Sequence, residues 1–151
     1  MSTMIRRFKV SDAEQTAGVW LRAGLEEYDY LPDFQKLTPA SALHVFNTVI
    51  AEENEIWLYE LDNCVAGFLA MQGSYIDRLY VEPTQQRKGI GRALLEHALT
   101  LSPLEISLHT HQQNTRARSF YEKFGFRPVK FDLSPPPECV PDVEYHWTRT
   151  G

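Results

Sequence analysis

One short stretch of the chain has the composition of a phosphate-binding turn. It spans residues 86–93, where a strand pattern gives way to a helix pattern, and it contains Gln86, Arg87, Lys88, Gly89, Ile90, Gly91 and Arg92. Glycine lets the backbone approach a ligand closely. The first free N–H groups of a helix carry a positive partial charge that binds phosphate oxygens. The stretch therefore predicts a cradle for a diphosphate.

Two common phosphate motifs do not fit this stretch. A P-loop needs four residues between its glycines and then Gly-Lys-Ser or Gly-Lys-Thr, which the chain lacks. A dinucleotide fingerprint needs a third small residue where Leu94 stands, and an acid about 20 positions later. Taken alone, the two glycines are also compatible with an ordinary turn before a helix, which is the alternative to a diphosphate cradle.

A second segment whose residues could take part in a reaction is a helical pattern from Asn114 to Phe124. Asn114 and Tyr121 are seven residues apart, close to two helical turns, so both project from one face. An asparagine at a helix start is also a common N-cap. Tyr121 is one of several aromatic residues at helical spacing, so packing in the core is its alternative role.

The elements around these segments predict a mixed α/β domain. Ser11 with Glu14 is typical of a capping box before a first helix, and Thr38-Pro39 predicts the start of a second helix that runs to Glu52. Further helices are expected to begin near Ile90 and Asn114. Strands are expected at residues 4–10, 56–61, 65–71, 75–81, 104–108, 129–133 and 143–148.

The two segments together resemble the GNAT superfamily of acetyl-CoA-dependent N-acetyltransferases. Gln86-x-x-Gly89-x-Gly91 is similar to the loop motif of that family, and Leu79-Tyr80-Val81-x-Pro83 is similar to the strand before it. The later helix is similar from Asn114 through Ala117, Phe120 and Tyr121 to Gly125 and Phe126. The resemblance implies a three-layer α/β fold. It has a mostly antiparallel sheet of about six to seven strands, flanked by about four helices and splayed at the coenzyme, in a single domain over residues 1–151.

The resemblance also implies roles for individual residues. Backbone N–H groups from Arg87 to Arg92 would hold the diphosphate of acetyl-CoA, and Leu79 and Val81 would pair with its pantetheine arm as an added strand does. Leu79 or Tyr80 would offer an N–H to the thioester oxygen. On the later helix, Asn114 and Ala117 would bind the arm, and Tyr121 would face the sulfur.

The general base is where the chain departs from the family pattern. Many relatives place Glu where Tyr75 stands, and the nearest acid here is Asp77, on the same strand face. Asp77, acting directly or through a water, is the expected base. The alternatives are acids at the end of the first helix, Glu26, Glu27 and Asp29. His109 and His111 are set aside as strand-end histidines, and without a third ligand at suitable spacing no metal site is expected.

The distribution of charge along the chain indicates which classes of molecule it is expected to bind. Residues 78–130 carry nine basic and four acidic side chains, whereas the rest of the chain carries six and 16, which predicts an anion-binding region. A pI of 5.5 argues against nucleic acid, and no apolar run reaches the length of a membrane span. Six acids and one base between Asp12 and Asp33 favour a cationic acceptor, a small-molecule or peptide amine, although a solvated acidic helix would look the same.

The expected protein is a cytoplasmic acyltransferase that moves an acetyl group from acetyl-CoA to a primary amine. A non-catalytic acyl-CoA-binding module is the alternative, and the presence of Tyr121 favours the enzyme. Because edge strands invite pairing, the segment from Leu133 to Trp147 is a candidate for contact with a second copy, as a homodimer.

Overall fold

The computed structural model describes residues 3–136 and 138–150, whose contacts divide into two compact units. The first unit holds residues 3–72 and 77–97, and the second holds residues 73–76 and those described from 98 onward. The strands are β1 (Thr3–Arg7), β2 (Glu55–Leu61), β3 (Cys64–Gln72), β4 (Tyr75–Val81), β5 (Glu105–His111), β6 (Arg127–Leu133) and β7 (Pro141–Thr148). The helices are α1 (Ala13–Glu27), α2 (Pro32–Gln35), α3 (Pro39–Val45), α4 (Ala51–Glu53), α5 (Ile90–Leu101) and α6 (Thr115–Phe124).

The first unit is built around β3. Strand β2 pairs antiparallel with β1 on one side and with β3 on the other, and β4 follows β3 in the strand order. Residues from Val65 to Met71 are all buried, as expected for a strand that is covered on both faces. Helices α1 and α3 contribute to a core whose central side chains are Val19, Phe46, Leu58 and Phe68.

The start of α1 differs from the sequence prediction. Asp12, not Ser11, is the N-cap, and a 3₁₀ turn at Val10–Asp12 precedes the helix. The Asp12 carboxylate accepts two hydrogen bonds from the Arg6 guanidinium, both at 2.9 Å, and one from the Lys9 N–H at 2.8 Å. The predicted Ser11 capping box is therefore wrong, because a charged partner from β1 fixes the carboxylate one residue later.

The segment after α1 contains a helix that the sequence analysis did not predict. Helix α2 brings Phe34 against α1, where a Cβ on Gly24 would lie only 2.1 Å from the Phe34 ring. Gly24 is thus required by this close approach. The next helix begins at the predicted N-cap, Thr38, whose hydroxyl accepts from the Ser41 N–H at 3.1 Å. It continues from α3 through a π-helical turn into α4.

The second unit contains β5, β7 and β6 in that order, so β7 is an interior strand and β6 is the edge. Strand β7 pairs antiparallel with both neighbours. Within the segment that was expected to present an edge, Leu133 to Trp147, residues Asp142 to His146 are therefore already paired on both sides. Helix α6 ends at Gly125, whose φ of 115° is the left-handed conformation that favours glycine at a C-cap.

The strand order β1-β2-β3-β4-β5-β7-β6 confirms the predicted sheet of about seven strands. Antiparallel pairing dominates, and β4 with β5 is a parallel pair. That parallel pairing covers only Tyr75 with Ser107 and Ile76 with Leu108, although β4 continues to Val81. Within residues 3–136 and 138–150, no helix combines the length and apolar character that a membrane crossing would need.

Candidate active site

The predicted diphosphate turn contains two residues with left-handed backbone conformations. A 3₁₀ turn at Pro83–Gln85 leads into the turn, and α5 begins at Ile90. Arg87 has a φ of 66° and Gly89 a φ of 82°, both in the left-handed region. Left-handed residues that alternate with ordinary ones turn successive N–H groups toward one point and form an anion-binding concavity. The turn is exposed, whereas Ile90 directly after it is buried and anchors the helix start.

Several contacts hold this turn in place. The Glu82 N–H donates to the Ala66 carbonyl at 2.8 Å, and the Arg22 guanidinium on α1 donates to the Glu82 carboxylate, with Nε 2.9 Å from both carboxylate oxygens. Lys88 Nζ donates to Gln85 Oε1 at 2.8 Å. The chain just before the predicted cradle is therefore tied to α1 and β3.

Gly67 sets how closely α5 can approach β3. A Cβ at this position would lie 3.0 Å from the Tyr80 carbonyl oxygen and 3.1 Å from Ile90 Cγ2. Leu94 Cδ1 would be 3.2 Å away. The N-terminal turn of α5 thus rests directly on the strand, which fixes the position of its first N–H groups.

Gly89 provides a test of the cradle. A Cβ there meets nothing within 4 Å, so alanine would project into open space rather than clash. We expect Gly89→Ala to cost about 1 kcal/mol of unfolding free energy, because L-residues disfavour positive φ. We also expect it to weaken acetyl-CoA binding by about 10-fold, equivalent to about 1.4 kcal/mol. Isothermal titration calorimetry and urea unfolding measure the two effects.

Gly73 is the matched control for that substitution. It has a φ of 61° and likewise no atom within 4 Å of a built Cβ, but it lies in the turn between β3 and β4. Gly73→Ala should lose similar stability and keep its affinity for acetyl-CoA. Equal loss of affinity in the two variants would contradict the assignment of the cradle.

The three predicted residues at the end of β4 differ in what their side chains do. Leu79 and Val81 are half-buried. The Tyr80 ring is buried and stacks on Phe68 at 5.7 Å, and its hydroxyl lies 2.9 Å from the Tyr28 hydroxyl. Burial raises the pKa of Tyr80 to about 12, so the phenol stays neutral. The Tyr80 side chain is thus engaged in the core, and only its backbone matches the predicted role.

Asp77 is held by a residue that the sequence analysis missed. Asn54 Nδ2 donates to Asp77 Oδ2 at 2.8 Å and also to the Ile50 carbonyl at 3.0 Å. Arg78 Nε lies 3.5 Å from the same Asp77 oxygen. The carboxylate is therefore oriented on β4 by an amide and a guanidinium. No local pattern could identify Asn54, because it precedes Asp77 by 23 residues.

The alternative bases on α1 occupy different environments. Glu26 and Asp29 are exposed, whereas Glu27 is half-buried. The pKa of Tyr28 is raised well above its ordinary value, first by burial and then by electrostatic interaction with Tyr80 and Glu27. Of the three acids, Glu27 is thus the one whose charge reaches the tyrosine pair.

In the second unit, α6 carries the other predicted residues. Asn114 Oδ1 accepts from the Ala117 N–H at 3.1 Å, so Asn114 is the N-cap that the alternative interpretation expected. The Tyr121 ring is buried and packs against Phe126, with ring centres 5.6 Å apart, and against Tyr145 at 6.3 Å. The ring is therefore rigidly held, and any chemical role belongs to its hydroxyl.

His109 and His111 lie in different surroundings. The Tyr75 hydroxyl lies 3.0 Å from His109 Nδ1, and His109 Nε2 lies 3.6 Å from Glu144 Oε1. Burial lowers the pKa of His111, which keeps that ring neutral near pH 7. Among the residues that the structure describes, no group of three or more His, Cys, Asp or Glu side chains could hold a metal ion.

Comparison with known proteins identifies the family. The sequence profile described as the acetyltransferase (GNAT) family matches residues 20–126. The chain is 30% identical over 128 residues to the peptidyl-lysine N-acetyltransferase YjaB of Salmonella typhimurium, which covers 84% of this chain and 85% of that protein. It is 27% identical over 145 residues to the spermidine N(1)-acetyltransferase of Thermoplasma acidophilum, with 84% and 89% covered.

Solved structures agree at the level of the fold. The solution structure of apo YjaB from Escherichia coli superposes with a TM-score of 0.77 at 24% identity, covering 97% of this chain and 98% of that one. The crystal structure of the PaiA N-acetyltransferase from Thermoplasma acidophilum with coenzyme A gives 0.72 at 23% identity, covering 98% and 99%. The fold, the loop geometry and the profile match over more than half of the sequence together make this chain a member of the GNAT acetyltransferase family.

Proposed function

We propose that this chain transfers the acetyl group of acetyl-CoA to a primary amine, and that residues 1–151 act as a single acetyltransferase domain. The observation that carries the proposal is the turn before α5. Its left-handed Arg87 and Gly89, three cations and the start of a 12-residue helix suit a diphosphate. Family membership supplies the chemistry, because GNAT proteins are acetyl-CoA-dependent N-acetyltransferases.

The proposed coenzyme contacts follow the sequence motifs. Backbone N–H groups between Arg87 and Arg92 bind the diphosphate oxygens, with Gln86 and Lys88 at the entrance of the turn. Leu79 and Val81 pair through their backbones with the pantetheine arm, and the N–H of Leu79 or Tyr80 stabilises the thioester oxygen as charge develops. On α6, Asn114 and Ala117 bind the same arm.

The Tyr121 hydroxyl is proposed to hydrogen-bond the departing sulfur. A phenol with a pKa of about 10 is a weaker acid than a thiol of about 8.5, so complete proton transfer is uphill by about 2 kcal/mol. Tyr121 therefore acts first as a hydrogen-bond donor, and it completes the transfer only if the proton released by the amine returns to the phenolate.

Asp77 is proposed as the general base that removes a proton from the ammonium group, directly or through a water. Such a base contributes about 10²-fold or more to the rate. We expect Asp77→Asn to lower kcat by about 10²-fold with little change in acetyl-CoA affinity. Steady-state kinetics and calorimetric titration with acetyl-CoA measure the two quantities.

Glu26→Gln and Glu27→Gln are the matched controls for the base. Both remove one carboxylate from the end of α1 and should keep the wild-type kcat. If Glu27→Gln loses kcat while Asp77→Asn retains it, the base is on α1 and Asp77 only orients its neighbours.

The acceptor is proposed to be a cationic amine, either a lysine side chain of a peptide or a polyamine. The relatives include a peptidyl-lysine and a spermidine N-acetyltransferase, and six acids lie between Asp12 and Asp33. A cytoplasmic location belongs to the same proposal, because Cys64 and Cys139 are exposed free thiols, which persist in a reducing compartment.

A thiol-release assay with a panel of amines tests the proposed function. The panel contains a lysine-bearing peptide, spermidine and an aminoglycoside, and each reaction is repeated without acceptor. We expect coenzyme A release that depends on at least one amine, with the acetylated product confirmed by mass spectrometry. Binding of acetyl-CoA without transfer to any of them would favour the non-catalytic module instead.

A further inference from the structure

The carboxylate of Asp77 is held through one of its two oxygens. Asn54 Nδ2 donates to Oδ2 at 2.8 Å, whereas Arg78 Nε lies 3.5 Å from the same oxygen, which is longer than an ordinary hydrogen bond. In the part of the chain that the structure describes, no hydrogen bond or ion pair of this carboxylate falls on Oδ1. The Asp77 side chain is 27% exposed, so Oδ1 is the oxygen that is left to accept a proton.

Asn54 can bind Oδ2 in only one orientation of its amide. Nδ2 carries two hydrogens, and they are divided between the Ile50 carbonyl, at 3.0 Å, and the Asp77 carboxylate. Turning the amide over would place its oxygen, which cannot donate, against these two acceptors. The direction from which Asn54 bonds Asp77 is therefore fixed.

The oxygen of the same amide is a feature that stability alone does not explain. Asn54 Oδ1 is buried and accepts no hydrogen bond from the described residues. An acceptor that loses water without gaining a donor destabilises the folded state, and a buried group of this kind calls for a specific reason. An apolar side chain would avoid the cost, but it could not donate to Asp77.

The helix before Asn54 anchors the amide in the core. Ile50 ends the π-helical turn Phe46–Ile50, and the first and last residues of this turn are fully buried. π-helical turns frequently lie at functional sites. After α4 the backbone of Asn54 is extended, with a φ of −130° and a ψ of 154°, and β2 begins at the next residue. Both hydrogen-bond partners of the amide thus belong to regular elements, a helix turn and β4.

We infer that Asn54 is a positioning residue, which fixes Asp77 by Oδ2 so that Oδ1 receives the proton of the acceptor ammonium group. When this proton passes directly, an N–H bond breaks, its electron pair stays on the amine nitrogen, and an O–H bond forms at Oδ1. The inference rests on the proposed role of Asp77 as the base. Misplacing a reacting group by about 1 Å can lower a rate by about 10²-fold, so losing one orienting bond is expected to lower kcat.

A double-mutant cycle tests this role. Asn54→Ala should lower kcat by about 10-fold and leave the KM of acetyl-CoA unchanged, because Asn54 is outside the proposed coenzyme contacts. In the Asp77→Asn background the same substitution should change kcat by less than about twofold, because the group that it orients no longer acts as a base. Asn47→Ala is the matched control. It removes an exposed amide from the π-helical turn and should keep the wild-type kcat.

A crystal structure of Asn54→Ala provides a measurement that does not depend on catalysis. It should show the Asp77 carboxylate in more than one orientation, whereas Asn47→Ala should keep it in one. Asn54→Asp is a second variant, which keeps the shape of the side chain and should turn Asp77 away through repulsion between two carboxylates. Circular dichroism checks that each variant is folded.

Failure of the inference and failure of the proposed function give different results. The inference is overturned if Asn54→Ala keeps the wild-type kcat while Asp77→Asn loses it, or if Asn54→Ala lowers kcat equally in both backgrounds. It is also overturned if Asp77 keeps a single orientation in both Asn54 variants. Wild-type kcat in Asp77→Asn, or no transfer by the wild type to any amine, would instead reject the proposed function and the role of Asn54 in it.

Discussion

Replacing Tyr121 with phenylalanine is expected to lower kcat by about 10²- to 10³-fold, the range of an acid-base group in the transition state. The Kd of acetyl-CoA should change by less than about twofold, because the aromatic ring that packs against Phe126 and Tyr145 is retained. The reason for the loss of kcat is the proposed hydrogen bond from the hydroxyl to the sulfur as the thioester bond breaks. Steady-state kinetics and calorimetric titration separate the two quantities.

Tyr59→Phe is the control for loss of a phenol. Tyr59 lies on β2, outside the sequence motifs, and is half-buried. It should keep wild-type kcat and a similar melting temperature. If Tyr121→Phe also keeps its kcat, the Tyr121 ring is packing alone, and the leaving group must be handled by water or another donor.

Replacing Asp12 with alanine should give the largest loss of stability, about 2–4 kcal/mol. The substitution removes both hydrogen bonds to the Arg6 guanidinium and leaves the Lys9 N–H without an acceptor. Arg6 keeps its bonds to Glu60, at 2.9 Å, and to the Arg7 carbonyl, at 3.1 Å, and its side chain is 23% exposed. Urea unfolding should show a lower midpoint with an unchanged slope. Glu53→Ala removes an exposed carboxylate and should change the unfolding free energy by less than about 0.5 kcal/mol.

The Asp12 carboxylate also makes the free energy of unfolding depend on pH in a direction that can be predicted. The Arg6 hydrogen bonds hold the pKa of Asp12 below its ordinary value of 3.8. Its stabilising contribution is therefore fully present above that value and declines as the pH falls through the lowered pKa of the folded state. Asp12→Ala should accordingly lose less stability than the wild type between pH 5 and pH 2, the interval in which an ion-paired aspartate of this kind titrates. If the free energy of unfolding declines equally in the wild type and in Asp12→Ala, groups other than Asp12 cause the sensitivity to acid.

What the sequence predicted well are features that depend on nearby residues. The turn at Gly89 follows from the conformational freedom of glycine and the helix after it. The N-cap at Thr38 follows from one hydroxyl and the amide three residues later. The family motifs themselves lie within short spans, so the loop and the aromatic face of α6 could be placed without knowledge of the fold.

Features that join distant residues could not be predicted in this way. Ser11 and Asp12 are both good N-caps by residue type, and the bond from Arg6 on β1 to the Asp12 carboxylate joins two elements that no local pattern relates. The bond from Asn54 to Asp77 likewise depends on how a helix end meets β4. The interior position of β7 depends on strand order, and a sequence pattern of alternating residues does not reveal which strand is outermost.

The left-handed backbone at Arg87 has an energetic consequence for ligand capture. A residue with a Cβ at a φ of 66° is disfavoured by about 1–2 kcal/mol relative to a right-handed one. That cost is met when the polypeptide folds, so the turn that we propose for the diphosphate has its shape before acetyl-CoA binds. Association then requires little ordering of the main chain, and preorganisation of this kind raises affinity without adding a contact.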